Sequence, residues 1–141
     1  MDDAIETAAE GRTPTLAEVQ GMTQELGDAI AALAEAELEA GRVETARAIL
    51  EGLVVTNHED AAAWALLASA HRRLGQPLAA RFCAEVAVRL APADPWIRLA
   101  RAEALLADPA GREAARGELA ALVADGEVGG RARALRAALG E

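Results

Sequence analysis

The sequence predicts an all-α solenoid of three stacked helix-turn-helix units, and three observations carry that prediction. Alanines recur every 34 residues: Ala34, Ala68 and Ala102 form one series, Ala46, Ala80 and Ala114 a second, and Gly41 and Gly75 keep the same interval. A period of this size marks helical units that bury their apolar faces by stacking on one another. The apolar residues, 52% of the chain, are mostly Ala, Leu and Val, and the aromatics are reduced to Trp64, Trp96 and Phe82, with no Tyr. Alanine and leucine are strong helix formers, and small side chains let helices approach closely, whereas a β-sandwich would want β-branched and aromatic residues. No stretch alternates apolar and polar residues with the period of a strand over any useful length.

The elements follow in order. Residues 1–13 are polar and glycine-containing and read as a flexible N-terminal tail ahead of a single domain over 14–141. After Pro14, Thr15-Leu16-Ala17-Glu18 reads as a capping box that opens an N-terminal helix. That helix is weakened at Gly21 and Gly27, and Asp28 can cap a new start. The next helix covers 28–40 and stops at Gly41. Its partner over 43–56 places Val43, Ala46, Ile49, Leu50 and Leu53 on one stripe. Asn57-His58-Glu59 turns the chain to Asp60, an N-cap for 61–74, which ends at Gly75. Pro77 sits in the first turn of 77–90, where its missing N–H is harmless. Pro92 ends that helix, and Asp94-Pro95 opens 95–107. Pro109 and Gly111 mark the following turn before a helix over 112–124. Gly126, Gly129 and Gly130 break it, and a last helix over 131–139, with Ala134, Leu135 and Leu139 apolar, covers the open end of the stack as a terminal cap.

Charge and cysteine usage narrow the functional classes. The net charge is −9, with −11 in residues 1–60 and +2 in residues 61–141, and every cation is Arg. An acidic chain without a basic patch argues against nucleic acid and anionic membrane as partners. The acidic N-terminus has neither a basic nor an apolar segment of the kind that directs export, and no apolar run reaches the roughly 18 residues of a membrane span. The lone Cys83 fits a reducing compartment. The expectation is a cytoplasmic protein without direct membrane insertion.

No catalytic constellation is legible. His58 lies in a turn between acidic neighbours and reads as a turn residue; His71 lies on a helix and reads as packing. Two histidines and one cysteine at this spacing offer no metal site. Cys83 has no histidine near it in sequence to activate it. Gly129-Gly130 lacks the Gly-Lys-Ser/Thr of a phosphate loop. The chain is expected to be no enzyme and to need no cofactor.

The repeating residues resemble tetratricopeptide repeats. Residues 61–94 carry the best copy, with Trp64, Leu67, Ala68, Leu74, Gly75, Ala80, Ala87, Leu90 and Pro92 in place. Residues 27–60 keep Ala34, Gly41, Ala46 and Leu50, with Leu53 for a small residue and His58 for a proline. Residues 95–128 keep Ala102, Ala114 and Ala121, with Pro109 where the turn glycine falls. A narrower resemblance is to class II type III secretion chaperones. It is carried by Glu39-Ala40-Gly41-Arg42, Ala46-Arg47, Leu50-Glu51-Gly52-Leu53, Asn57-His58-Glu59-Asp60, Leu74-Gly75-Gln76, Ala80 and Asp94-Pro95 with Ala102-Glu103-Ala104-Leu105-Leu106. The chain departs from that family in having no Tyr and in Ala104, where Cys is common.

The resemblance implies a concave groove that helix A of each unit faces at its second, fifth, ninth and twelfth positions. These are Asp28, Ala31, Glu35 and Leu38 in the first unit, Ala62, Ala65, Ser69 and Arg72 in the second, and Trp96, Leu99, Glu103 and Leu106 in the third. Beside this stands a plainer reading, in which Leu99 and Leu106 are core, Glu35 and Glu103 are solvated and Trp96 packs beneath a turn; Trp64 reads as core. The family implies a chaperone that holds an extended segment of a secreted, apolar translocator and keeps it soluble and export-competent. The alternative is a general repeat scaffold that joins soluble proteins. Leu16, Val19, Met22 and Leu26 form a narrow apolar stripe that suits either homodimer or heterodimer formation through the N-terminal helix, or packing onto the first repeat.

Overall fold

The computed structural model describes residues 12–141. Of the expected tail over 1–13, only Arg12 and Thr13 fall among those residues, and Arg12 ion-pairs with Glu18 and Glu59. The elements are α1 Leu16–Gln20, α2 Gln24–Glu39, α3 Val43–Thr56, α4 Ala61–Arg73, α5 Pro77–Leu90, α6 Pro95–Leu106, a one-turn 3₁₀ helix Pro109–Gly111, α7 Arg112–Leu122 and α8 Gly129–Ala138. There is no strand among the described residues. Helices pair in sequence as α2/α3, α4/α5 and α6/α7, and the first helices of the pairs also pack side by side.

Local signals set the helix starts. Thr15 Oγ1 accepts the Glu18 N–H at 3.1 Å, and Thr23 Oγ1 accepts that of Leu26 at 3.1 Å. Asp60 accepts from Ala63 at 3.0 Å, and Asp94 from Trp96 at 2.9 Å. Each bond satisfies a donor that the first helical turn leaves without a partner. Pro77 and Pro95 open α5 and α6. Of the two glycines expected to weaken the N-terminal helix, Gly21 breaks it and Gly27 does not. Gly21 adopts a left-handed conformation, φ +74°, and ends α1, while Gly27 is buried inside α2 and Asp28 is an exposed helix residue that accepts from the Gln24 amide. Thr23, three residues before Leu26, supplies the better cap and so takes the helix start from Asp28.

The first two units turn identically. Gly41 and Gly75 have φ of +83° and +73°. In each turn the glycine N–H donates to the carbonyl three residues back, Leu38 or Arg72, and the next N–H to the carbonyl five residues back, Glu37 or His71. This double bond closes the helix end and requires the left-handed region that glycine enters without strain.

The third unit departs from the period. Its turn runs from Ala107 to Gly111 through the 3₁₀ helix, five residues against three in its counterparts, because α6 ends one position earlier in the period and α7 starts one position later. Ala115 and Leu122 are buried where Ala114 and Ala121 were expected, and both of those are exposed. Gly111 is fixed here by space: an added Cβ would lie 2.5 Å from the Leu105 carbonyl oxygen. The last helix starts at Gly129 and buries Val128 and Ala132 rather than Ala134 against Leu99, Ala102, Leu119 and Leu122, with Leu135 and Leu139 packed at the edge.

The main core joins α2 to α6. Ala34, Leu50, Leu53, Leu67, Ala68, Ala80, Ala84 and Ala104 pack together, with Trp64 against them. Trp64 is half-buried, its Nε1 donates to the His58 carbonyl at 2.9 Å, and its ring meets Phe82 edge-on at 6.2 Å. His71 is held by Gln76 at 2.7 Å. Cys83 is buried in the same core, and that burial, with the nearby Glu51 charge, pushes its thiol up to about 11. A thiol so protonated is a packing group, since the thiolate is the reactive form.

Gly111→Ala should lower stability by about 1–3 kcal/mol, the usual cost of overpacking. Gly117→Ala, on exposed α7 backbone with open space around it, should raise stability by about 0.5–1 kcal/mol. Urea denaturation of the two variants checks both signs. Cys83 should react with a chromogenic disulfide reagent at pH 8 at least tenfold more slowly in the native chain than in urea. Equal rates would show the thiol to be accessible and unshifted.

Candidate peptide-binding groove

The first helices of the three pairs bring one face each to a shared concavity. A cavity of about 600 Å³ crosses it, bordered by Glu35 of α2, by Ala62, Ala65, Leu66 and Ser69 of α4, and by Trp96, Ile97, Leu99, Ala100 and Glu103 of α6. Asp94, at the head of α6, and Arg131 of α8 complete the rim. The floor is wide because three of these positions are alanines. The wall is Trp96, whose ring is more than half exposed and whose Nε1 donates to Glu127 Oε2 at 2.7 Å. A smaller cavity of about 230 Å³ shares Glu103 and Arg131 with the first and adds Arg72, Leu106, Ala107 and Leu135.

Most of the residues expected from the repeat pattern meet here. Glu35, Ala62, Ala65, Ser69, Leu99 and Glu103 border the larger cavity, and Arg72 and Leu106 border the smaller. Leu99 serves both readings: it is buried against Leu119 and Leu122 and shows one edge to the cavity. Three expectations are corrected. Leu38 is core, filling the space that Ala46 and Ala70 leave between α3 and α4. Ala31 packs half-buried against the main core and borders neither cavity. Asp28, expected in the same series, borders neither cavity either.

Leu66, Ile97, Ala100 and Arg131 were not anticipated. Leu66, Ile97 and Ala100 lie one position beside an expected groove residue, so a cavity one residue wider on each helix face takes them in. Arg131 carries no repeat signal, because the period ends before α8.

The charged groups have distinct roles. The Asp94 carboxylate is committed to the N–H groups of Trp96 and Ile97. Glu103 is largely buried and sits 3.4 Å from Arg72 and 3.6 Å from Arg131. Glu35 is exposed and has no ion-pair partner among the described residues. Arg133 Nη1 donates to the Val123 carbonyl at 2.6 Å and fixes α8 on the end of α7. Asp125 accepts from the N–H groups of Val128 and Glu127, which hold its carboxyl below the usual range and order the turn into α8. Among the described residues no group of His, Cys, Asp and Glu is placed to hold a metal ion, and no helix is long and apolar enough to cross a membrane. The surface offers shape and charge to a chain laid across it.

Two tetratricopeptide repeat models match the sequence, one over residues 14–70 and one over 61–104. No curated protein matches the chain. Solved structures match it over most of its length. The Yersinia enterocolitica type III secretion translocator chaperone SycD is similar at 20% identity and a TM-score of 0.76, covering 89% of this chain and 98% of its own. The same chaperone in complex with a peptide of the translocator YopD aligns at 20% identity and 0.68, covering 83% and 94%. Pseudomonas aeruginosa PcrH in complex with the chaperone binding region of PopD aligns at 23% identity and 0.64, covering 84% and 93%. The repeat models, the 34-residue period and the stacked helix pairs agree, and the chain carries tetratricopeptide repeats over residues 14–104.

Proposed function

We propose that this protein is a cytoplasmic chaperone that holds an extended segment of a secreted, apolar translocator in the groove across α2, α4 and α6 and keeps it soluble before export. The observation that carries this reading is the open cavity of about 600 Å³ with an alanine floor and a Trp96 wall, in a fold whose solved neighbours include chaperones in complex with translocator segments. A partner's large apolar side chain fits a floor of small residues, and shielding that side chain from water removes the surface through which the partner would aggregate. None of the groove residues forms a nucleophile–base pair, so the reading is binding without catalysis.

The N-terminal elements support self-association as a second part of the proposal. Leu16, Val19 and Leu26 are each at least two-fifths exposed, whereas Met22, expected on the same stripe, packs against the main core. The break at Gly21 divides the stripe and turns only Met22 inward. A second copy, or a related small subunit, would cover the remaining three.

Co-expression with a translocator encoded nearby should yield a soluble stoichiometric complex. Ala65→Trp fills the cavity and should weaken that complex at least tenfold, the scale of losing one anchor, with the melting temperature of the free chain kept. A translocator that stays soluble alone and forms no complex would sink the reading and favour a scaffold for other soluble proteins. Val19→Glu with Leu26→Glu should convert a dimer to a monomer in light scattering; an unchanged mass would remove the α1–α2 interface.

A further inference from the structure

The groove is electrically asymmetric. At the α2 side of the larger cavity stands Glu35, exposed and without an ion-pair partner among the described residues. Where the two cavities meet, Arg72 of α4 and Arg131 of α8 flank the single carboxylate of Glu103. Two guanidiniums against one carboxylate leave an excess positive charge there. Both contacts go to the same oxygen, Glu103 Oε2, and both are longer than a normal charge-assisted hydrogen bond. Neither guanidinium donates a hydrogen bond to any other described residue, and each side chain retains about a third or more of its exposure, Arg72 31% and Arg131 56%. A guanidinium has five N–H donors in a fixed fork, so most of this donor capacity faces the groove unspent.

The alanine floor and Trp96 border the same larger cavity as Glu35, Glu103 and Arg131. Resting on the reading of this surface as a peptide groove, we propose that its occupant is an extended segment with one large apolar anchor, flanked on one side by a basic side chain that meets Glu35 and on the other by an acidic side chain that meets Arg72 and Arg131. Charge complementarity of this kind selects partners and fixes register more than it adds raw affinity. It also explains why an acidic protein presents arginines on a concave face: the partner's carboxylate replaces water on donors that Glu103 only half satisfies. Arg131 belongs to α8, so an acidic ligand group would also draw the terminal helix against the bound chain.

The test uses the full chain and four capped, fluorescein-labelled ten-residue peptides, each with a central Leu-Val pair. The flanks are Arg and Glu, Gln and Gln, Arg and Arg, or Glu and Glu. Fluorescence anisotropy at low and at 0.5 M NaCl reads their dissociation constants. The mixed-charge peptide should bind about fivefold tighter than the neutral one at low salt, the value of a partly exposed charge pair, and the advantage should shrink at high salt. Read as the ratio of charged-peptide to neutral-peptide affinity within each variant, Glu35→Gln should remove the advantage of the Arg flank alone, and Arg131→Gln or Arg72→Gln that of the Glu flank alone. Equal affinity for mixed and neutral peptides, each abolished by Ala65→Trp, would overturn the charge order and leave the groove standing. Peptide binding that is indifferent to Ala65→Trp, or no binding by any of the four, would overturn the groove and the charge order together.

Discussion

The structure depends on how closely its helices approach, and alanines set that distance. Ala34, Ala68 and Ala102 on the first helices of the pairs, and Ala46, Ala80 and Ala115 on the second, are all essentially inaccessible. Each is a point where one helix lies against another with only a methyl group between them. A larger residue at any of them would push a helix outward at about 1–3 kcal/mol and, because every unit contacts only its neighbours, would tilt everything beyond it. The curvature of the stack, and so the concavity along α2, α4 and α6, follows from these six contacts.

Polar ties hold the angle between units. Arg73 Nη1 donates to the Leu38 carbonyl at 2.7 Å and joins the end of α4 to the end of α2. Arg101 reaches Glu85 at 2.8 Å and Glu118 at 3.7 Å, while Arg98 lies 3.5 Å from Glu118, so α5, α6 and α7 are linked by one network. Half-exposed pairs add little stability each. Their part is orientation: they cross from helix to helix where the alanine contacts alone would allow sliding.

How much of this was legible in the sequence depends on the element. The helix pairs, their caps and the two glycine turns were legible because each rests on local chemistry: a side-chain oxygen three residues before a free N–H, a proline at a helix start, a glycine in the left-handed region. The third unit was misread by one residue because strict periodicity ignores what a turn contains. Pro109 cannot enter the left-handed conformation, so the chain turns through a 3₁₀ helix and shifts Ala115 into the slot. Gly21 and Gly27 look alike in the sequence; only the competing cap at Thr23 separates them. In the groove, the repeat pattern located Ala62, Ala65, Ser69 and Glu103, since their direction follows from helix geometry. It failed at Leu38, where two neighbouring alanines leave a hole that the leucine fills. It was silent on Arg131, whose place depends on how α8 folds back over α7.

The alanine floor also bears on how such a groove would hold its partner. Binding energy at interfaces concentrates in large side chains seated in pockets. Here the protein contributes one exposed aromatic, Trp96, and otherwise contributes space. The large side chains must therefore come from the ligand, and the protein's surface is the set of pockets. On the proposed reading, that division suits an apolar partner that must later be surrendered. Small rigid side chains lose little conformational freedom on binding, so the complex forms without ordering the groove, and each anchor that leaves takes its own share of the contact with it. A floor of long flexible residues would have to reorder on binding; a floor of alanines has no side-chain rotamers to fix.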